Sequence, residues 1–138
     1  MLISAAAWPT DAATLDALRR GLAACPDVAF AHLADVRVQD LQSTPEPALL
    51  VWLAPAALGS IRPALNLVSD EVAKVLPRGR FLDVVILNSA PELLDRLEAV
   101  GRLVVDNDPD ERQRARMSSQ DLAGYQPLPP RRRWWWPF

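Results

Sequence analysis

Apolar residues recur along this chain in two ways: short runs at period two and longer stretches at period three to four. Residues 2–7 (LISAAA) form a short apolar run closed by Trp8-Pro9, and predict a strand. Thr10 offers an N-cap, Asp11 falls in the favourable first turn, and Leu15, Leu18 and Leu22 follow at helical spacing. Arg19 and Arg20 lie off that stripe, and Cys25-Pro26-Asp27 ends the helix. In residues 28–38 (VAFAHLADVRV), Val28, Phe30, His32, Ala34, Val36 and Val38 share one strand face. A polar loop with two prolines leads into ALLVWLA, residues 48–54, which predicts a strand covered on both faces.

Gly59-Ser60 precedes a second helix, with Pro63 suited to its first turn. Ile61, Leu65, Val68, Val72 and Val75 mark the expected inner face. Residues 81–88 (FLDVVILN) predict a strand with one partly exposed face, because Asp83 interrupts the run. A short helix over residues 91–100, stopped by Gly101, and a short strand at 103–105 complete the pattern. The order βαββαβ with an extra helix and strand predicts an α+β fold, an α/β two-layer sandwich of ferredoxin-like type. Two helices would cover one sheet face, and the spatial strand order would be 4-1-3-2. That order puts ALLVWLA inside the sheet and FLDVVIL at an edge.

From residue 106 the chain changes character, with DNDPDERQRARMSSQ densely charged and almost without apolar anchors. The expected organisation is one sandwich domain over residues 1–106 and a charged linker or solvated helix over 107–126. A proline-rich hinge (QPLPP) and an Arg/Trp tail follow over 127–138.

Composition narrows the class. Half of the 138 residues are hydrophobic, which excludes a disordered chain. Cys25, the single cysteine, excludes an internal disulfide framework and a cysteine zinc cluster. The opening MLISAAAWPTDAA has neither a basic region nor the long apolar stretch of a signal peptide, so the cytoplasm is the expected location. Without Arg131, Arg132 and Arg133, the 15 basic residues become 12 against 17 acidic ones, a net charge of −5. An acidic body is a poor nucleic-acid surface.

No residue pattern points to catalysis, a cofactor or a metal. His32 is the only histidine, and a lone histidine in an alternating strand reads as structural. Cys25 sits at a helix end, where the dipole does not activate a thiol, and reads as a half-buried, inert group. Asp70 and Glu71 lie on the outer side of a helix. Asp106, Asp108, Asp110 and Glu111 read as a solvated acidic turn, because DNDPDE lacks the glycine and distal glutamate of a calcium hand. No glycine-rich phosphate loop is present.

Two families share patterns with the chain. Residues 2–88, with the early strand and Trp-Pro, PDVAFAHL, EPALLVWLA and LPRGRFLDVVIL, resemble the C-terminal domain of SseB, the enhanced-serine-sensitivity protein. The resemblance implies an α/β accessory or interaction domain and transfers no catalytic residue. The later stretch LDVVILNSAPELLDRLEAVGRLVVDNDPDERQRA is similar to the end of minimal nucleotidyltransferase domains. Those enzymes need a Gly-Ser turn and paired aspartates for triphosphate and magnesium. The strand ALLVWL has no acidic residue, so this resemblance implies an antitoxin-type binding partner without activity.

RRRWWWPF, residues 131–138, is the candidate interaction element, carried by Arg131, Arg132, Arg133, Trp134, Trp135, Trp136 and Phe138. Tryptophan and arginine are the commonest hot-spot residues. The segment reads three ways: docked on its own domain or a second copy, docked on a protein partner, or weakly bound at an anionic membrane surface. Nucleic acid ranks below these, because stacking indoles lack a supporting basic groove.

Overall fold

The computed structural model describes residues 2–7, 11–37, 44–77 and 82–124, with side chains as far as residue 118. The elements are β1 (Leu2–Ala5), α1 (Ala12–Ala23), β2 (Val28–Arg37), β3 (Glu46–Leu53), α2 (Ile61–Val75), β4 (Asp83–Ile86), α3 (Leu94–Val100), β5 (Arg102–Asp106) and α4 (Pro109–Gly124). One-turn 3-10 segments at Pro55–Ala57, Leu87–Ser89 and Pro91–Leu93 join them. The fold is mixed α+β, as the pattern predicts. No helix among the described residues is long and apolar enough to cross a membrane.

Sheet order differs from the expected 4-1-3-2. The strands run β1-β2-β3-β4, with β5 also paired to β2. β1, β3 and β5 are antiparallel to β2, and β3 and β4 are parallel across the α2 connection. β2 is the spine. β3 follows one of its edges, while β1 and β5 share the other end to end, β1 opposite residues 34–37 and β5 opposite residues 30–33. The physical reason lies in the strands themselves. LISA is four residues long and exposes all but Ile3, so it cannot serve as a doubly covered central strand. β2 is ten residues long and buried over nearly its whole length, which demands partners on both edges. β3 is internal and β4 terminal, as their hydrophobicity predicts.

Odd positions of the central strands face one helical layer. Ala31, Leu33, Leu49, Val51 and Leu53 pack with Leu18 and Leu22 of α1 and Ala64, Val68 and Val72 of α2. Even positions face a second layer, which the two helices of a ferredoxin-like sandwich would leave uncovered. Phe30, Ala34, Ala48 and Leu50 pack there with Leu94 and Leu97 of α3 and Ala115 of α4. Burial on both faces explains the continuous apolar run of β3, where each fully buried Leu or Val contributes on the order of 1.5–3 kcal/mol.

Several local expectations shift. A bulge between Val28 and Phe30 turns Val28 towards α1, away from the face of Phe30 and His32; Val38 lies outside the described residues. Asp11, not Thr10, caps α1: its carboxylate accepts from the Thr14 amide at 2.9 Å and the Thr14 hydroxyl at 2.6 Å. Ile61 is 38% exposed and Ala64 takes its inward place, because the buried stripe of α2 runs Ala64, Val68, Val72. Cys25 is fully buried, and burial pushes its thiol pKa up. The charged segment after residue 106 is the helix α4, opened by Asp108, whose carboxylate accepts the Glu111 amide at 3.1 Å, and by Pro109 at its first position. It is not solvated all round: Glu111 is 7% and Ala115 4% exposed, four residues apart on the face towards the sheet.

Candidate functional site

Phe30, on β2, lies opposite Trp52 of β3, and the rings stack with centroids 5.7 Å apart and planes 9° from parallel. Two residues along the same face, His32 presents its ring edgewise to Phe30 at 5.8 Å. The histidine is 1% exposed. Its Nε2 lies 2.8 Å from Oε2 of Glu98 on α3, so the neutral ring donates there and leaves Nδ1 without a partner. Burial lowers the His32 pKa, with the negative charge of Glu98 acting against that shift.

The other oxygen of Glu98 accepts from Arg112 Nη2 of α4 at 2.9 Å and pairs with the guanidinium of Arg116, whose Nε lies 3.1 Å away. Arg112 and Arg116 are four residues apart, on one helical face. Nη1 of Arg112 also reaches Oδ2 of Asp106, at the end of β5, at 3.3 Å. Two carboxylates and two guanidiniums thus balance in charge and tie α3, α4 and β5 around the histidine. Next to them Trp52 Nε1 donates to Glu111 Oε2 at 2.9 Å, and Arg114 donates to Glu111 Oε1. Gly101, after α3, is needed for closeness: an added Cβ would lie 2.8 Å from the Leu97 carbonyl oxygen and 3.5 Å from the His32 ring.

Two asparagines stitch the frame. Asn107 Nδ2 lies within 3.0–3.4 Å of the carbonyls of Leu22, Cys25 and Val28, joining the end of α1 to the β5–α4 junction. The Asn88 side chain accepts the Leu53 amide and donates to its carbonyl, two residues beyond the last β3–β4 pair, Val51 and Ile86.

A neutral histidine bonded to a carboxylate can act as a base only where a substrate reaches its free nitrogen. Here Nδ1 is sealed inside the layer. A pocket of about 230 Å³ lies on the opposite face of the sheet, between α2 and β4, and is lined by Ser69, Val72, Ala73, Leu76, Leu82, Asp83 and Val84. The four acidic residues read as a turn are dispersed: Asp106 pairs with Arg112, Asp108 caps α4, Asp110 is exposed in the first turn of α4, and Glu111 holds Trp52 and Arg114. Among the described residues no group of three or more His, Cys, Asp or Glu could hold a metal ion. Asp83 is exposed at the β4 edge. The end of β2, where a nucleotide pocket would distinguish a nucleotidyltransferase ancestry, runs into residues 38–43, outside the described residues. The tail residues Arg131, Arg132, Arg133, Trp134, Trp135, Trp136 and Phe138 also lie outside them.

Sequence reasoning singled out His32, which the fold buries against Glu98, but missed Glu98, Arg112 and Arg116. The four-residue spacing of the two arginines was the available signal; nothing local to Glu98 marks a partner 66 positions away. Fold and cluster together define a five-stranded α+β domain with helices on both faces and a charge-balanced polar clasp in one layer. Comparison with protein-family models, curated proteins and solved structures finds no match.

Proposed function

We propose that this protein is a non-catalytic accessory or protein-interaction module, of the kind the SseB C-terminal resemblance implies, with residues 131–138 as its adhesive element. The observation that carries the reading is the closure of the His32 clasp. Both oxygens of Glu98 are engaged, and its charge is spent on two arginines of the same chain. Such an arrangement holds helices to a sheet, and the atoms it leaves unpartnered, His32 Nδ1, Asp106 Oδ1 and Arg112 Nε, are buried away from any substrate. An acidic body with a basic, tryptophan-rich end then favours a protein partner or a second copy over nucleic acid.

The test is affinity purification with the full chain and with a chain lacking residues 127–138, followed by reconstitution of any captured protein in pure form. A partner that binds saturably, and loses affinity when Trp134, Trp135 and Trp136 become alanine, supports the module. Turnover of a nucleoside triphosphate by the purified chain, abolished by substituting Asp83 or Asp106, would overturn it.

A further inference from the structure

β4 closes one side of the sheet with little protection. Among the described residues it pairs with β3 alone, and Val84, Val85 and Ile86 are each partly exposed with no lysine or proline among them. The helix above this edge runs against it. α2 connects the end of β3 to the start of β4, and those strands are parallel, so Ile61 stands towards the Ile86 end and Leu76 towards the Asp83 end. Arg62, Leu65, Ser69, Ala73 and Leu76 fall within about 80° of one another around the α2 axis, at 3.6 residues per turn. Ser69, Ala73 and Leu76 line the pocket of about 230 Å³ together with Val84, so this stripe faces the β4 edge. Its first half carries an exposed Arg62 and a half-buried Leu65; its second half carries the pocket, beside an exposed Asp83.

The geometry points to one occupant, a second copy of this chain: two β4 strands pair antiparallel about a twofold axis perpendicular to the sheet, and two α2 helices pack side by side above them. Strand addition supplies main-chain hydrogen bonds and makes one sheet of both copies. With Val85 on the axis, Val84 of each copy lies opposite Ile86 of the other, on the α2 side. The spacing fits. Strands lie about 4.8 Å apart, so a helix seated over β3 and β4 has its mate about 10 Å away, an ordinary distance between packed helices. The two stripes are complementary to themselves when they run antiparallel about Ser69. Leu65 of each copy then meets Ala73 of the other and fills its pocket, while Arg62 comes to the end of α2 where Asp83 is exposed. A twofold makes each of these contacts twice. The opposite sheet face is already covered by α3 and α4.

This inference is independent of the adhesive reading, since residues 131–138 take no part in it. Its test is sedimentation velocity of the full chain across a wide range of concentration. Expected is a monomer–dimer equilibrium. Arg62→Asp and Asp83→Arg should each raise the dimer dissociation constant about tenfold, because like charges then face each other at both ends of the interface. The double variant should restore the original value. Ser69→Arg, at an exposed position on the axis, should leave a monomer with an unchanged circular dichroism spectrum. A chain that stays monomeric at every concentration overturns the proposal. So does a dimer indifferent to Ser69→Arg, or a double variant as weak as either single one. The full chain with Trp134→Ala, Trp135→Ala and Trp136→Ala separates the two readings, and should dimerise like the unsubstituted chain. A dimer lost with those three substitutions but kept with Ser69→Arg overturns the β4 interface and leaves the tail reading standing. A dimer that obeys the charge exchange while no partner binds through the tail leaves the interface and removes the tail reading.

Discussion

His32 shows how one buried ring converts pH into stability. Its pKa in the fold lies below the ordinary value near 6.5, mainly because burial opposes the charged form. The unfolded chain therefore binds a proton first as pH falls. Stability is full above about pH 6.5 and declines as pH drops from there towards the lowered native value. His32→Gln keeps a donor near Glu98 without titrating, so its unfolding free energy should stay flatter between about pH 6.5 and 5 than that of the unsubstituted chain. Urea titrations across that window measure the slope; equal slopes would place the histidine in solvent. Trp52 makes two separable contributions, the stack on Phe30 and the bond to buried Glu111. Trp52→Ala should cost about 3 kcal/mol, since both are lost and the ring is half-buried. Trp52→Phe keeps the stack and should cost about 1.5 kcal/mol through the charged acceptor alone. Chemical denaturation of the two variants gives the ratio.

At the scale of elements, α3 depends on the residue that ends it. The Gly101 amide donates to the Leu97 carbonyl at 2.7 Å, and the same carbonyl leaves no room for a side-chain carbon at that position. The backbone there is ordinary, with φ at −77°, so contact and not torsional strain excludes other residues. Gly101→Ala should destabilise by about 1–3 kcal/mol, the usual cost of overpacking, and disturb the neighbouring His32–Glu98 bond. A histidine NMR resonance that shifts with the melting temperature would show both effects; an unchanged protein would mean that α3 ends elsewhere. α4 illustrates the limit of pattern reading. Its buried apolar stripe is reduced to Ala115 among the residues whose side chains are described, while Glu111 and Arg112 tie it to Trp52, Asp106 and Glu98 through polar bonds. A hydrophobicity pattern counts such a helix as solvated.

For the whole molecule, the boundary expected at residue 106 is testable against the packing. A chain ending at residue 106 loses Ala115, Glu111, Arg112 and Arg116, uncovering the Phe30–Trp52 layer and leaving Glu98 without its arginines. Breaking such a partly buried pair costs about 3 kcal/mol before any apolar exposure is counted. The chain ending at 106 should bind a hydrophobic dye and lose a cooperative thermal transition, whereas one ending at residue 124 should keep it. Sharp two-state melting of the shorter chain would restore the boundary at 106 and make α4 an accessory.

Much of the fold was legible because its causes are local. Period-two runs, a stripe of Leu15, Leu18 and Leu22, and breakers such as Pro26 and Gly101 act within a few residues, so nearly every strand and helix can be read from order alone. ALLVWLA even announced its own burial on both faces, since a run with no polar face must be covered twice. What joins those elements depends on residues far apart. The edge to which β1 pairs, the bulge that turns Val28 away from Phe30, and the use of α4 to close the second face follow from β2 needing partners along ten residues. The clasp is the same case: His32, Glu98 and Arg112 come from three elements, and their charges matter only once burial removes water. Local sequence pattern therefore determined the elements, while the tertiary structure decided strand order, the second helical layer and the partners of the histidine, because low dielectric and close packing exist only in the assembled fold.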